Sequence, residues 1–232
     1  GSIQPISEIV KIAGKIPVHT DAVQSFGKVE FDFAALDVTA ATISAHKIGG
    51  PLGVAALVLK RGLDLTPVLH GGGQEREIRS GTLNAPAIVA FTAAAEYAIA
   101  NMESNFEKIR ELRDYFIAGL KKCVPDVSIN SVSDPALPGI VNATFPGTES
   151  DALLLLLDTE GISASAGSAC SAGVPRPSHV LVALGLSESD ADASLRISIG
   201  TTNTKAEIDQ VLAILPSVVE RARNAFAVSE LN

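Results

Sequence analysis

Aromatic and sulfur-containing side chains are scarce in this chain of 232 residues, which has no Trp, two Tyr and two Cys. So few large aromatic rings offer little for the stacking platforms on which proteins bind single-stranded nucleic acid. The two cysteines, Cys123 and Cys170, are too few for a disulfide framework, and no signal peptide is recognised. We therefore expect a reducing, cytoplasmic setting. Two cysteines this far apart also argue against a structural zinc site, which needs four close ligands.

Basic charge and long apolar runs are lacking as well. Lys and Arg number 18 against 26 Asp and Glu, a formal net charge of -8, and no basic run occurs. A nucleic-acid partner is therefore not expected. The longest apolar run, residues 152–157, is far shorter than the ~18 residues that a membrane span needs. The composition that remains, 47% hydrophobic and 19% charged, is globular and excludes a disordered chain.

The first part of the chain alternates between short β-branched segments and helical ones, a pattern typical of an α/β sheet. Residues 7–13 read as a helix, and residues 16–19, 37–44 and 54–60 read as strands. Glycine-rich turns follow the last two strand ends, at residues 45–51 and 70–82.

The second part begins with helical spacing over residues 84–122, bent near Asn101, and continues as an α+β unit. Strands are predicted at 140–145 and 195–199, with a further short one at 162–164. Capping-box patterns, Thr148 with Asp151 and Thr204 with Glu207, predict two helix starts. At ~150 residues per domain the chain forms one large or two small domains. We place the boundary near residue 103, giving domains 1–103 and 104–232.

Lys47 follows a predicted strand directly, with Ser44 and His46 beside it. Ligands bind at the carboxyl ends of strands in open α/β sheets, and a lysine there can act as a nucleophilic amine. A solvated loop charge is the competing interpretation for Lys47, and a packed histidine is the alternative for His46.

Asp21 ends another predicted strand, and Gln24 follows one turn later. The aspartate either caps the next turn or faces a cationic ring nitrogen. Pyridoxal phosphate (PLP) enzymes need a lysine that binds the cofactor and an acid that keeps its pyridine ring protonated. Lys47 and Asp21 at adjacent strand ends meet that requirement together.

Three further sites carry candidate chemistry. Arg79, Ser80 and Thr82 lie in the second glycine-rich loop, which is either a phosphate cradle or a charged surface loop. Cys170 lies among small residues, a context that favours an exposed, reactive thiol, whereas Cys123 reads as packing. Arg196 lies inside an apolar strand, so we expect a buried guanidinium whose carboxylate partner is either structural or a substrate.

Five motifs occur in order along the chain: residues 18–25 (VHTDAVQS), 44–47 (SAHK), 70–82 (HGGGQEREIRSGT), 168–170 (SAC) and 194–198 (SLRIS). In this order they resemble the cysteine desulfurases, the NifS/IscS-like members of the class V aminotransferase family. The resemblance extends from residue 1 to about residue 223. It implies a fold-type I PLP-dependent transferase, with part of a large α/β domain followed by a smaller α+β C-terminal domain.

The resemblance also implies roles in cofactor binding. Lys47 would form the Schiff base with PLP, and Asp21 would pair with the pyridine nitrogen. Gln24 would contact the ring hydroxyl, and Ser44 and His46 would bind the phosphate. The family works as a homodimer, in which Thr82 would reach the phosphate held by the partner subunit.

The implied reaction removes sulfur from L-cysteine. Lys47 would act as the general base, Arg196 would hold the substrate carboxylate, and Cys170 would take up the sulfur as a persulfide, leaving alanine. The sulfur would pass to an iron–sulfur scaffold or to another acceptor protein. Apart from Cys170 as a transient iron–sulfur ligand, no metal ligand is predicted.

Family members carry a further half of the large domain before the point at which this sequence starts, including a histidine that stacks on the cofactor. None of His19, His46, His70 and His179 replaces it, so we expect the chain to be a fragment of a desulfurase. Two alternatives stay open: a selenocysteine lyase or other class V PLP enzyme, and an inactive fragment that serves only in dimerisation or docking.

Overall fold

The computed structural model describes residues 1–132, 134–166 and 177–229, and it divides into two compact units. The first unit is Ile3–Phe106, and the second combines Gly1–Ser2 with Glu107–Asn232. The division lies three residues beyond the boundary that we place at residue 103.

The first unit is built around a small three-stranded sheet of order β1-β2-β3. Its elements are α1 (Ile6–Ala13), β1 (His19–Asp21), α2 (Phe33–Leu36), β2 (Ala40–Ser44), β3 (Ala55–Leu59) and α3 (Ala85–Ala100), with 3-10 turns at Ala45–Ile48 and Glu75–Glu77. β1 and β2 are parallel, and β2 and β3 are antiparallel. This arrangement confirms the predicted mixed α/β character.

The first strand differs from the prediction of residues 16–19. Pairing covers only His19↔Ala40 to Asp21↔Thr42, and Ile16 is 71% exposed. The apolar residues before His19 indicate a strand by composition, but Ile16 and Pro17 only lead up to the sheet. The Val18 carbonyl accepts the N–H groups of Thr39 and Ala40 at 2.8 and 3.2 Å, so contact with the neighbouring strand begins there.

A small apolar core supports the turn after β2. Ala22, Ile43, Ala45 and Phe91 are buried, and Phe26 packs edge-to-face against Phe91. α3 therefore supports the turn that carries Lys47. Much of the rest of α3 is apolar and exposed, including Val89 at 68%.

The second unit contains α4 (Met102–Cys123) from Glu107 onward, β4 (Ser128–Ile129), β5 (Ile140–Thr144), α5 (Ser150–Thr159), α6 (His179–Ala183), α7 (Glu188–Asp192), β6 (Ser194–Ser198) and α8 (Lys205–Ser229). Its strands form an antiparallel sheet of order β4-β5-β6. Phe116 and Leu120 of α4 are buried, which confirms the predicted apolar face of this helix.

The two faces of this sheet differ because side chains alternate along a strand. One face carries Val141, Ala143 and Leu195, which are fully buried in the core. The opposite face is polar and carries Asn142, Thr144, Ser194 and Arg196. On that face Asn130 Nδ2 donates to Thr144 Oγ1 at 2.8 Å, and the hydroxyls of Thr144 and Ser194 are 2.7 Å apart.

One of the two predicted helix caps is confirmed. The Thr204 N–H donates to Glu207 Oε2 at 2.8 Å, and the Glu207 N–H donates back to Thr204 Oγ1 at 3.3 Å. The other prediction is wrong: α5 begins after Glu149, and Thr148 Oγ1 donates instead to the Phe145 carbonyl at 2.7 Å.

Residues 162–164 do not form the predicted strand, although Ser165 makes a single bridge to Arg196. Within the described residues no single helix is long and apolar enough to cross a membrane. The pair α3 and α4 passes by length and composition when taken together, with a bend of 68° between the two helices.

Candidate active site

Two groups of the predicted residues lie at one edge of the first unit's sheet. Asp21 is the last residue of β1, and Ser44 is the last residue of β2. The strands are parallel, with Asp21 opposite Thr42, so their carboxyl ends point the same way. The sequence predicted this juxtaposition of Asp21 with the segment that carries Lys47.

The turn that carries Lys47, Ala45–Ile48, is fixed by its backbone. Ala45 is fully buried, its N–H donates to the Val54 carbonyl at 3.2 Å, and its carbonyl accepts the Gly50 N–H at 2.9 Å. A Cβ on Gly50 would lie 2.9 Å from the Ala45 Cβ, closer than such atoms approach. Glycine at position 50 is therefore needed for the turn to close, and the turn leaves the Lys47 side chain exposed.

Ser44 and His46 are joined by a hydrogen bond, since Ser44 Oγ and His46 Nδ1 are 2.8 Å apart. Ser44 is buried while His46 is exposed. The imidazole is therefore held by a buried hydroxyl and is not packed in the core. A similar contact joins the neighbouring strands, where His19 Nε2 lies 2.8 Å from Thr42 Oγ1.

Asp21 has one oxygen engaged and one available. Its Oδ1 accepts the Val23 N–H at 2.9 Å, which is the local turn contact that the structural interpretation predicts. Among the described residues no hydrogen bond or ion pair involves Oδ2, and the side chain is exposed. The turn contact confirms the local interpretation and leaves the other carboxylate oxygen available to a ligand.

Gln24 has a partner that the sequence reasoning missed. Lys28 Nζ donates to Gln24 Oε1 at 2.8 Å within the turn after β1. Burial lowers the pKa of Lys28, and the positive charge of Lys47 lowers it further. The signal in the sequence was the spacing of four residues between Gln24 and Lys28, which places both on one face of a helical turn.

Two lysines at this edge of the sheet lack an ion-pair partner. Among the described residues no ion pair involves Lys28 or Lys47, whereas Lys60 and Lys205 each pair with an aspartate. These two ammonium groups, together with the buried hydroxyl of Ser44, suit an anionic ligand such as a phosphate.

The second glycine-rich loop has an ordered backbone of its own. Gln74 Oε1 accepts the Gly81 N–H at 2.9 Å, and Ser80 is buried. Arg79 and Thr82 are exposed. Within the described part of the chain, no hydrogen bond or ion pair joins Thr82 to the turn that carries Lys47.

Arg196 lies on β6 in the second unit, and the expectation that it is buried is wrong. Its side chain is on the polar face of the sheet and is exposed, because neighbouring residues of β6 supply the buried face. Its Nη2 donates to Ser165 Oγ at 3.3 Å, and its backbone N–H and carbonyl pair with Ser165. Among the described residues no carboxylate pairs with it, so the guanidinium is available to a ligand.

Cys170, with Ser168 and Ala169, lies outside the described residues. Cys123 is half-buried at the end of α4, and its Sγ lies 3.6 Å from the Leu120 carbonyl. Burial raises its pKa, as expected for a packing cysteine. The described residues contain no group of three or more potential metal ligands.

Comparison with curated proteins finds close relatives that are longer than this chain. It is 45% identical over 228 residues to an IscS-like cysteine desulfurase of Mycobacterium tuberculosis, covering 97% of this chain and 58% of that protein. It is 43% identical over 226 residues to cysteine desulfurase IscS of Methanosarcina thermophila, covering 97% and 56%.

The solved structures that resemble this chain are also longer than it is. A NifS-like protein from Rickettsia africae superposes with a TM-score of 0.85 at 38% identity, covering 95% of this chain and 59% of that one. SspA in complex with cysteine gives a TM-score of 0.69 at 34% identity, covering 88% and 56%. The chain therefore spans less than three fifths of the length of each of these relatives.

These likenesses confirm the fold class predicted from the sequence. A family model described as aminotransferase class-V also matches residues 1–211. With a match over most of its length and the Lys47 turn at the carboxyl edge of its sheet, the chain belongs to the class-V aminotransferase family.

Proposed function

We propose that the protein to which this chain belongs is a PLP-dependent cysteine desulfurase. The observation that carries the proposal is the placement of Asp21 and the Lys47 turn at the same edge of parallel strands. One ligand can then meet both side chains. The carboxylate of Asp21 suits a protonated ring nitrogen, and the amine of Lys47 suits an aldehyde. The curated relatives with at least 40% identity named here are cysteine desulfurases.

The donor set fits the cofactor. Asp21 has a free carboxylate oxygen for a protonated pyridine nitrogen, and Gln24 has a free amide N–H for the ring oxygen. Ser44 and His46 are held together and would bind the phosphate. Lys47 is exposed and has no acidic partner among the described residues, so its amine is available to the aldehyde. Bound there, PLP would supply an electron sink for the bonds at the substrate α-carbon.

The exposed guanidinium of Arg196, which has no carboxylate partner among the described residues, supports a role in binding the substrate. A planar guanidinium binds a carboxylate in a bidentate manner, and this would fix the α-carboxylate of L-cysteine. The amine of Lys47 would take the α-proton as a general base. That SspA is solved in complex with cysteine supports the choice of substrate.

The sulfur step is assigned to Cys170. Its thiolate would attack the substrate sulfur, so that an S–S bond forms as the substrate Cβ–S bond breaks. Cysteine and the enzyme thiol become alanine and an enzyme persulfide, which balances without an external oxidant. The terminal sulfur would then pass to an acceptor such as an iron–sulfur scaffold protein.

Borohydride reduction followed by mass spectrometry tests cofactor binding, and alanine formation from cysteine tests the activity. We expect a pyridoxyl adduct on Lys47 that is absent from Lys47→Ala. Cys170→Ala should retain the adduct but form no persulfide, while Cys123→Ala, the matched control, should keep both. Full alanine and sulfide turnover by Cys170→Ala would refute the desulfurase and favour another class V enzyme. No adduct on Lys47 would favour a docking module.

We also propose that the protein is a homodimer in which Thr82 completes the partner's phosphate site. The exposure of Thr82 supports this, since the residue is free to meet another subunit. Mixing Lys47→Ala and Thr82→Ala subunits provides the test. In a mixed dimer one site would combine both defects and the other would have neither, so activity should reappear. Two inactive variants that stay inactive after subunit exchange would contradict the shared site.

A further inference from the structure

The hydrogen bond from Lys28 to Gln24 is a contact at this edge of the sheet that the proposed reaction does not use. Lys28 Nζ lies 2.8 Å from Gln24 Oε1, and Lys28 is half-buried. We propose that Lys28 is a positioning residue that fixes the Gln24 amide, so that its Nε2 donates to the anionic ring oxygen of the bound cofactor. This inference rests on the proposed function.

The orientation of the amide follows from the chemistry of lysine. An ammonium group has three donors and no acceptor, so it can face only the oxygen of an amide. Gln24 must then turn its –NH2 group away from Lys28. Among the described residues no hydrogen bond involves Gln24 Nε2. The pair therefore presents a donor, in one fixed orientation, to whatever binds at the edge of the sheet.

Packing directs the pair towards the Lys47 turn. Gly27, next to Lys28, has a φ of +71°, and a Cβ there would lie 3.0 Å from Ile48 Cγ2. Ile48 follows Lys47 directly, so the two turns are in contact through this glycine. The lowered pKa of Lys28, due first to burial and then to the charge of Lys47, agrees with this placement.

The choice of an amide as the partner of Lys28 also fits a donor role. No carboxylate pairs with Lys28 among the described residues, although an ion pair would neutralise a half-buried cation better. A glutamate at position 24 would satisfy Lys28 but would offer only acceptors to a ligand. Glutamine satisfies the lysine with its oxygen and keeps a donor for an acceptor oxygen.

The test measures the affinity and the visible absorption of PLP bound to the full protein. Lys28→Met removes the donor and retains the aliphatic stem. We expect it to weaken PLP binding about tenfold, since a hydrogen bond made by a charged group contributes more free energy than one between neutral groups. We also expect it to change the ratio of the two absorption bands, which report the charge on the ring oxygen. Lys28→Arg should retain most of the affinity. Lys60→Met, which removes an exposed ion pair with Asp37, is the matched control and should change neither readout.

A double-mutant cycle with Gln24→Leu separates positioning from a general effect of charge or folding. If Lys28 acts through the amide, Lys28→Met should change PLP affinity less than twofold when Gln24 is already leucine. An equal loss in both backgrounds overturns the inference, while an adduct on Lys47 in the unsubstituted protein leaves the proposed function standing. Failure of the unsubstituted protein to bind PLP overturns both. If Lys28→Met does not fold, Lys28→Gln enters the same cycle.

Discussion

Replacing Gly27 by alanine should destabilise the first unit and disturb the Lys47 turn. Gly27 has a φ of +71°, which L-residues rarely adopt. A new Cβ would lie 3.0 Å from both Ala98 Cβ and Ile48 Cγ2. These neighbours are short or β-branched side chains that are fixed by packing, so they cannot simply rotate away.

The magnitude has three parts. The left-handed backbone costs an L-residue about 1–2 kcal/mol, and overpacking costs about 1–3 kcal/mol. Alanine reduces the entropy of the unfolded chain and thereby returns about 0.4–1 kcal/mol. The net loss in free energy of unfolding is about 1–5 kcal/mol, a large part of the ~5–15 kcal/mol typical of a folded protein.

Urea denaturation measures this loss, and Gly53→Ala is the control. Gly53 has a φ of +77°, close to that of Gly27, and a Cβ there would meet nothing within 4 Å. Both substitutions place an L-residue at a similar positive φ and reduce the entropy of the unfolded chain alike. The difference between the two variants isolates the contact with Ile48 and Ala98, about 1–3 kcal/mol. Equal losses in the two variants would refute the close approach of the turn after β1 to the Lys47 turn.

Three further predictions concern the second unit. Arg196→Gln should lower kcat/KM for cysteine about 10–100-fold, from the loss of a charge-assisted hydrogen bond, with little change in stability because the side chain is exposed; an unchanged kcat/KM would contradict its role. Phe116→Ala should reduce the free energy of unfolding by about 3–5 kcal/mol, since Phe116 is 1% exposed; a loss below 1 kcal/mol would contradict its place in the core. Arg223 lowers the pKa of Asp126 through a hydrogen bond, so the pair stabilises the fold above about pH 4 and loses this effect as the pH falls through the lowered pKa. Asp126→Asn should cost at most about 1 kcal/mol at pH 7, and less as the pH falls through the lowered pKa, as urea titrations at neutral and acidic pH would show.

Elements with a local cause were predicted well from the sequence. The apolar spacing of α4 is confirmed by the burial of Phe116 and Leu120. The capping box of α8 is confirmed because Thr204 and Glu207 lie close in the chain and need no distant partner. The juxtaposition of Asp21 and the Lys47 turn was predictable because parallel neighbouring strands end at a common edge.

The errors have different physical causes. Thr148 has the spacing of a cap, but its hydroxyl bonds the Phe145 carbonyl, which competes with capping. Arg196 lies in an apolar run, yet alternation along β6 places it on the polar face. Lys28 was missed although its spacing of four residues from Gln24 is visible in the sequence, since the contact of Gly27 with Ile48 that brings the two turns together leaves no local pattern.

The alternation of polar and core residues along β6 also limits how this part of the chain can change in length. Inserting or deleting one residue within the strand would exchange the two faces of the sheet. Leu195 would move out of the core and Arg196 would move into it, and the contact between Thr144 and Ser194 would be lost. A change of two residues preserves the faces. Insertions or deletions of two residues should therefore be tolerated in β6 better than those of one residue. The turns outside the strand do not have this restriction, because their side chains do not alternate between two faces.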